Sequence, residues 1–379
     1  MIRGFPETEF ATRVARAQGM MAEHGLAALL LTTEPEVRYF TGYITRFWES
    51  PTRPWFVVLP ASGKPIAVIP AIGAPVMART WVDDIRTWRA PDLQDDGVTL
   101  LTDTLREVAE GGPVGVPMGH ETHLRMPLAD YARLGASVNL VPDQGIMRSL
   151  RLVKSEAEID KIRTACTIAG RAFDRVGEIA APGVPLSQVF RRFQMLCLEE
   201  GADWVPYLAG GAGPLGYDDV ISPASDTPLA RGDVLMLDTG LVWDGYFCDY
   251  DRNFGIGAVD TRCLAGHRRL TEAVDCAMEI ARPGATAADL FHAMDKVLTG
   301  GAGGSEAGRY GHGLGMQLTE WPSLIPDDHT VLQPGMVLTL EPGVEIANGQ
   351  ILVHEENIVV RDGGPERLSP FAAPDLRIL

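Results

Sequence analysis

In Val234-Leu-Met-Leu-Asp238-Thr-Gly240, four apolar residues run directly into a carboxylate. Burial of an isolated carboxylate at the end of an apolar strand is costly unless a cation or a shared proton compensates its charge. The dipeptide Asp244-Gly245 follows and predicts a two-residue β-hairpin turn. With that turn Asp249 lies opposite Gly240, so Asp238 and Asp249 share one face of the ribbon.

The chain repeats this arrangement. Residues 232–240 recur as Gly335-Met-Val-Leu-Thr-Leu-Glu341-Pro-Gly343, shifted by 103 positions, and a second apolar strand follows over residues 351–360. The helical segment ahead is repeated as well, since Glu178-Ile-Ala-Ala-Pro-Gly183 recurs as Glu279-Ile-Ala-Arg-Pro-Gly284. The C-terminal part is therefore predicted to contain two copies of a helix–helix–hairpin unit. A pseudo-two-fold axis would bring one carboxylate pair from each copy together, as a place for two metal ions.

Composition limits the class of protein. The 379 residues are 46% hydrophobic, enough for two globular domains. Lys+Arg 33 against Asp+Glu 50 gives a formal charge of −17, which argues against nucleic acid or an anionic membrane as the main partner. The apolar runs are too short to span a bilayer, and the N-terminus lacks the apolar core of a signal peptide. The five cysteines form no CxxC motif, which is typical of reduced core thiols in a cytoplasmic protein.

Residues 1–150 are predicted to form an α/β domain. The apolar pattern indicates, in order, a helix, a buried strand and a hairpin, over residues 10–23, 28–31 and 55–70. Between residues 39 and 54, aromatic residues and arginines alternate on a predicted loop. This loop either reaches into a neighbouring site or covers the sheet with its aromatic side chains.

A second domain is predicted over residues 151–379. Ser155-Glu-Ala-Glu158 is a capping box, and apolar residues at helical spacing follow it until Pro182-Gly183 stops the helix. Further helices are predicted over residues 186–200, 261–281 and 287–299. A glycine-rich stretch then runs from Gly300 to Gly315 and contains His312 between close glycines.

Five side chains are candidate metal ligands, namely Asp238, Asp249, His312, Glu341 and Glu355. Carboxylates that bridge two divalent ions, with few or no thiolates, suit Mn²⁺, Co²⁺, Fe²⁺ or Zn²⁺. Such ions, about 3.5–4 Å apart, activate a bridging water and polarise a carbonyl group. Each carboxylate alone fits a turn or edge residue equally well, and the repeated context favours the metal site. Asp251 and Glu356 stay open as supporting or competing groups, and His354 is predicted to point away.

These positions, with Asp249-Tyr-Asp-Arg252 and Glu341-Pro-Gly343 around them, resemble the prolidase / aminopeptidase P / creatinase / methionine aminopeptidase superfamily. Arg151-Leu-Val-Lys154-Ser-Glu-Ala-Glu158 is similar to the opening of its catalytic domain, and Tyr39-Phe-Thr-Gly42 is similar to its N-terminal domain. The resemblance implies an α+β fold, in which a pita-bread catalytic domain with an internal pseudo-two-fold follows a creatinase-like α/β N-terminal domain. It also implies a homodimer.

The resemblance further implies roles for the candidate ligands. Asp249 and Glu355 bridge the two metal ions, and Asp238 belongs to one of them. His312 and Glu341 serve the other ion. Glu341 and His312 are the implied catalytic residues, with Glu341 as the acid/base for the bridging water.

The substrate side departs from this family. A second histidine usually follows seven residues after the metal histidine, where this chain has Thr319. Another usual histidine is missing from residues 216–225, and Val353 replaces an arginine two residues before the last glutamate ligand. The candidates for the rebuilt substrate side are Tyr217, Asp218, Asp219, Tyr310, Thr319 and Trp321. For each of them a purely structural role is the alternative.

The leading hypothesis is a dinuclear metallohydrolase that cleaves a C–N amide bond, most simply in an Xaa-Pro dipeptide or another small amide. A second hypothesis keeps the fold and changes the reaction to that of an ectoine-type hydrolase or a dimethylsulfoniopropionate lyase. Asp238-Thr-Gly240 lacks the Asp-x-Asp of those lyases. A third hypothesis is a non-catalytic binding protein, and creatinase-like metal-free chemistry is a further possibility. The complete ligand set argues against both.

Overall fold

The computed structural model describes residues 2–50, 53–303 and 308–379. The chain divides into two compact units, Ile2–Arg151 and Leu152–Leu379. Residues 51–52 of the predicted aromatic loop and residues 304–307 of the glycine-rich stretch lie outside the described residues. Within the described ranges, no helix combines the length and the apolar character needed to cross a membrane.

The unit Ile2–Arg151 contains a mixed sheet covered by helices. Its helices are α1 Glu7–Glu23, α2 Glu34–Thr41, α3 Ala74–Met77, α4 Val98–Ala109, α5 Leu128–Gly135 and α6 Ile146–Leu152. Its strands are β1 Ala28–Leu31, β2 Phe56–Pro60, β3 Ile66–Pro70, β4 Asp84–Trp88, β5 Val114–Val116 and β6 Leu140–Pro142. The strand order is β4-β3-β2-β1-β5-β6, with β1 antiparallel to β2 and parallel to β5. The predicted helix, strand and hairpin are confirmed.

The predicted loop over residues 39–54 is wrong at its start. Tyr39 to Thr41 form the end of α2, and Gly42 ends this helix in a left-handed conformation with φ 73°. Tyr43 and Trp48 pack around the buried ring of Trp55, at centroid distances of 5.5 and 6.0 Å. These aromatic side chains therefore pack inside the unit, as the covering interpretation expects.

The unit Leu152–Leu379 carries the repeated elements. Its helices are α7 Glu156–Asp174, α8 Leu186–Glu199, α9 Thr261–Ile280 and α10 Ala287–Thr299. Its strands are β7 Trp204–Gly213, β8 Val234–Trp243, β9 Tyr246–Phe247, β10 Tyr250–Gly255, β11 Gly311–Gly313, β12 Glu320–Ser323, β13 Val337–Leu340, β14 Gly343–Ala347, β15 Gln350–Val353, β16 Glu356–Val359, β17 Glu366–Arg367 and β18 Arg377–Ile378. The capping box at Ser155 and Glu158 is present. The helix after it ends at Asp174, however, earlier than predicted, and a 3₁₀ turn Val176–Glu178 follows.

Two sheets follow the two copies of the repeat. The first has the order β18-β10-β8-β7, with β9 on β8, and the second has the order β12-β11-β13-β16-β17. The predicted hairpin turn is confirmed, since Trp243 pairs with Tyr246 and the left-handed φ angles of Asp244 and Gly245, 49° and 83°, are those of a type I′ turn. Tyr250 pairs with Thr239 and Asp251 with Asp238, which is the predicted register.

The predicted strand over residues 351–360 is instead two strands in different sheets. β15 pairs with β14 as a separate ribbon, and β16 pairs with β13. Between them the chain leaves the strand conformation at His354 and Glu355, and the backbone N–H of Glu355 donates to the side chain of Asp251. A side chain from the first copy therefore pairs with a backbone group at this break, and a continuous apolar pattern does not reveal such a contact.

Candidate metal centre

Three buried carboxylates converge in the unit Leu152–Leu379. Asp238 lies in β8, Asp249 lies between β9 and β10, and Glu355 lies between β15 and β16. Each offers one oxygen atom, and these three atoms lie within 4.8 Å of one another. Each copy of the repeat thus supplies carboxylates to one cluster, as the pseudo-two-fold argument predicts.

His312 and Glu341 border this cluster. The Nε2 atom of His312 lies 3.2 Å from Oδ2 of Asp249 and 3.7 Å from Oε2 of Glu341. Its Nδ1 atom lies 2.8 Å from the carbonyl oxygen of Gly313 and therefore carries the proton that it donates there. This hydrogen bond orients the ring so that Nε2 faces the carboxylates, as in a histidine that binds a metal through Nε2.

The surroundings of the three carboxylates disfavour their charged forms. Burial raises the pKa of Asp238, Asp249 and Glu355 well above the ordinary carboxyl range, and the negative charges of the neighbouring carboxylates raise it further. Arg309 acts in the opposite direction on the pKa of Asp249. Its Nε atom lies 3.9 Å from Oε2 of Glu341. A bound cation would compensate this concentration of negative charge.

The donor atoms fit divalent metal ions. Within the described part of the chain, Oδ1 of Asp238, Oε2 of Glu341 and Oε2 of Glu355 are buried without a hydrogen-bond partner. Buried polar atoms in folded proteins are almost always paired, so these oxygen atoms need another partner. Carboxylate oxygens with one imidazole nitrogen suit hard or borderline divalent ions.

The neighbouring acidic residues turn away from the cluster. Glu356 pairs with Arg252 at 3.0 Å, and its Oε1 lies 3.3 Å from Nε2 of His354. Asp251 accepts from the backbone N–H of Glu355 at 2.8 Å and lies 3.4 Å from Nδ1 of His354. Of the two adjacent glutamates, Glu355 is therefore the one whose carboxylate reaches Asp238 and Asp249.

Tyr207 was not among the residues that the sequence indicated. It lies on β7 opposite Gly240, and its hydroxyl group donates a hydrogen bond to Asp238. Burial raises the pKa of Tyr207, and the charges of Asp238, Glu355 and Asp249 raise it further, so the phenol stays protonated as a donor. No motif marks this position, because β7 carries no charged residue to signal it.

The candidate substrate residues occupy different environments. The Tyr217 hydroxyl accepts from the backbone N–H of Val353 at 2.7 Å and donates to Asn253 at 3.1 Å, and Tyr310 stacks on Phe291 with centroids 4.8 Å apart. Both tyrosines are buried in the core, which favours the structural alternative for them. Asp218 and Asp219 are exposed, whereas Trp321 is buried and Thr319 is half-buried.

The segment that carries Thr319 lies against β8, the strand that contains Asp238. A Cβ atom added at Gly240 would lie 2.1 Å from Cδ1 of Leu318, so this glycine permits the close approach. The next residue, Glu320, forms a buried ion pair with Lys154 at 3.0 Å. The half-buried Thr319 thus lies between Leu318, which packs on Gly240, and Glu320, which pairs with Lys154.

Two family profiles match the chain. The profile of metallopeptidase family M24 matches residues 160–362, and that of the creatinase/prolidase N-terminal domain matches residues 13–153. The first covers the carboxylate cluster and both copies of the repeat.

Individual relatives agree with these profiles. The chain is 30% identical over 384 residues to the probable dipeptidase PepE of Mycobacterium tuberculosis, covering 96% of this chain and 95% of the relative. It is 30% identical over 231 residues to the Xaa-Pro dipeptidase of Pyrococcus furiosus, covering 59% of this chain and 65% of the relative.

Solved structures share the fold. The dipeptidase PepE of Mycobacterium ulcerans has a TM-score of 0.84 at 28% identity, with 99% of both chains covered. A recombinant prolidase of Thermococcus sibiricus has a TM-score of 0.86 at 22% identity, with 98% of this chain and 99% of that chain covered. The predicted α+β fold, with a pita-bread domain after a creatinase-like domain, is confirmed.

Proposed function

The chain belongs to metallopeptidase family M24 and is a metal-dependent peptidase, and we propose that it hydrolyses Xaa-Pro dipeptides with two divalent metal ions. The observation that carries the proposal is the convergence of Asp238, Asp249 and Glu355 within 4.8 Å, with His312 at 3.2 Å from Asp249. The choice of an Xaa-Pro substrate draws on relatives that are named dipeptidase and Xaa-Pro dipeptidase.

The five candidate ligands would bind the two ions in different ways. Asp249 and Glu355 would bridge the ions, Asp238 would bind one ion, and His312 and Glu341 would bind the other. When bound, the ions supply an activated water and polarise the scissile carbonyl group. Manganese, cobalt, iron and zinc all suit this mixed oxygen and nitrogen donor set.

Glu341 would move the proton. Its side chain is 28% exposed, against 5% for Asp249, so it borders both the buried cluster and the solvent. We assign it to accept a proton from the attacking water and to return it to the departing proline nitrogen. The Nε2 atom of His312 lies near both Asp249 and Glu341 and would bind the ion that Glu341 also holds.

We also propose a homodimer in the cytoplasm. The homodimer rests on the family resemblance, and sedimentation velocity tests it. The compartment rests on the cysteines: all five are free thiols, and Cys166, Cys197, Cys248 and Cys263 are buried. The relatives carry peptidase names, so they do not favour the ectoine-type, lyase or non-catalytic alternatives.

The experiment strips the protein of metal, reloads it with Mn²⁺, Co²⁺ or Zn²⁺, and measures hydrolysis of Xaa-Pro and Xaa-Ala dipeptides. We expect metal-dependent cleavage before proline, abolished in Asp249→Ala and Glu355→Ala. Asp362→Ala, which removes an exposed carboxylate outside the candidate ligands and substrate residues, is the matched control and keeps full activity. Metal-dependent cleavage of Xaa-Ala alone would reject the assigned substrate, and activity in Asp249→Ala would reject the assigned centre.

A further inference from the structure

The two carboxylates assigned as bridges are each held by a side chain from the other copy of the repeat. Asp251 follows Asp249 by two residues, and its Oδ1 accepts from the backbone N–H of Glu355 at 2.8 Å. Asn357 follows Glu355 by two residues, and its Oδ1 accepts from the backbone N–H of Asp249 at 3.0 Å. The two contacts are equivalent under exchange of the copies, although one uses a carboxylate and the other an amide.

The carbonyl groups of the same two residues are held across the copies as well. The Nδ2 atom of Asn357 donates to the carbonyl oxygen of Asp249 at 2.5 Å, and Thr339 donates to this oxygen at 3.0 Å. The carbonyl oxygen of Glu355 accepts from Nη1 of Arg252 at 3.1 Å. Both polar groups of each backbone unit are therefore paired with side chains of the opposite hairpin.

The local strand geometry explains the need for these contacts. Asp249 lies in the break between β9 and β10, and Glu355 lies in the break between β15 and β16. At a break the backbone groups lose their regular ladder partners, and unpaired buried N–H and C=O groups are costly. Asp251 and Asn357 are both fully buried and replace those partners.

We propose that Asp251 and Asn357 form a reciprocal backbone clamp, a pair of positioning residues that fixes the separation of Asp249 and Glu355 and thereby sets the affinity for the metal pair. The proposal rests on the bridging roles assigned above. Asn357 bonds both the N–H and the C=O of Asp249, so it prevents this residue from rotating about its own backbone. Two carboxylates that share the same two ions need this fixed spacing, because misplacement of a ligand directly weakens coordination.

Asn357→Val tests the clamp, because valine suits a strand, is of similar size and makes none of the hydrogen bonds. The matched control is Tyr250→Phe, which removes another buried hydrogen bond, from the Tyr250 hydroxyl to the carbonyl oxygen of Cys166 at 2.8 Å. Calorimetric titration of the metal-free proteins with Mn²⁺ measures stoichiometry and affinity. Thermal unfolding of the same metal-free samples measures stability. Neither readout uses peptidase turnover.

We expect both variants to unfold at lower temperature when metal-free, and only Asn357→Val to bind Mn²⁺ about 10–100-fold more weakly, the usual loss for a group that orients a ligand. If Asn357→Val does not fold, Asn357→Thr takes its place, since its hydroxyl keeps one of the two bonds to Asp249, and we expect a smaller loss of affinity. Wild-type affinity in the tested Asn357 variant overturns the clamp. Absence of Mn²⁺ binding by the wild-type protein overturns the metal proposal itself.

Discussion

Glu341 differs from the other carboxylates of the centre because it meets both the cluster and the solvent. Its Oε2 atom is buried without a hydrogen-bond partner among the described residues, yet more than a quarter of its side chain is exposed. Arg309 lies 3.9 Å away and is itself one-third exposed. The cluster is therefore bordered by one acidic and one basic side chain that are both partly exposed to solvent.

Glu341→Gln should lower kcat by about 10²–10⁴-fold, because the amide cannot accept the proton of the attacking water. The amide oxygen remains as a weaker metal ligand, so the variant should still bind Mn²⁺. Steady-state kinetics at saturating metal, with calorimetric titration of the same samples, checks both expectations. A kcat within a few-fold of wild type would remove Glu341 from the role of acid/base.

We infer that Arg309 donates a charge-assisted hydrogen bond to the C-terminal carboxylate of the dipeptide substrate. Loss of this bond, worth about 1.5–3 kcal/mol, in Arg309→Met should raise KM for Xaa-Pro dipeptides by about 10–100-fold. The dipeptide amides lack that carboxylate, so their KM should stay unchanged. The exposed Arg192→Met is the control for loss of a positive charge. An equal rise in KM for acid and amide would contradict this role.

At this scale the sequence indicates the ligand types well and the substrate groups poorly. The repeated sequence around Asp238 and Glu341 singles out these carboxylates, because a buried charge at the end of a strand needs a cation or a shared proton to compensate it. A tyrosine ring suits a core and a pocket equally, so Tyr217 and Tyr310 were expected at the substrate and lie in the core. Tyr207 and Asn357 form hydrogen bonds with residues distant in the sequence, and no local sequence pattern predicts such bonds.

Among the secondary-structure elements, β7 and β11 share a feature that completes the repeat. Gly210 in β7 has φ 145°, and a Cβ atom there would lie 2.1 Å from the carbonyl oxygen of Met236. Gly311 in β11 has φ 140°, and its Cβ atom would lie 2.1 Å from the carbonyl oxygen of Thr339. Met236 and Thr339 are equivalent positions of the two copies. Each copy thus places a glycine where a neighbouring strand approaches too closely for a Cβ atom.

Gly311→Ala should lower the free energy of unfolding by about 2–6 kcal/mol, from backbone strain and from the forced shift of β13. It should also weaken Mn²⁺ binding, because His312 is the next residue. Gly364→Ala is the matched control, since its φ of 113° imposes strain in open space. Chemical denaturation of both variants measures the difference. Equal destabilisation would show that contact with β13 does not matter.

The elements show where sequence patterns succeed and fail. Hydrophobic periodicity and turn chemistry locate α7 to α10 and the turn at Asp244-Gly245, because these depend on neighbouring residues in the chain. The same reasoning treats residues 351–360 as one strand, since its apolar residues are continuous. At the break the backbone N–H of Glu355 pairs with Asp251, a residue more than a hundred positions earlier, and local patterns do not reveal such a contact.

In the whole molecule, the position of the candidate ligands means that bound metal should stabilise one unit and not the other. All five candidate ligands lie in the unit Leu152–Leu379, and the unit Ile2–Arg151 contains none of them. A metal that binds only the folded state stabilises the unit that holds it. The excess of acidic groups, a formal charge of −17, also favours binding of cations over anions.

Removal of metal should therefore lower the stability of one unit. Chelation should lower the melting temperature of the unit Leu152–Leu379 by the equivalent of about 2.7 kcal/mol for each ion removed, compared with Mn²⁺ at 100 times its Kd. The transition of the unit Ile2–Arg151 should be unaffected. Differential scanning calorimetry with and without chelator measures both transitions, and Asp249→Ala should abolish the difference. A metal-dependent shift in Asp249→Ala would place the stabilising ion elsewhere.

We propose that side chains from both copies of the repeat hold two divalent ions between them. Anomalous diffraction from crystals of the Mn²⁺-loaded protein, collected on both sides of the manganese absorption edge, locates these ions. We expect two manganese peaks, both flanked by Asp249 and Glu355, with Asp238 at one and His312 and Glu341 at the other. A single peak, or peaks away from Asp249 and Glu355, would contradict it.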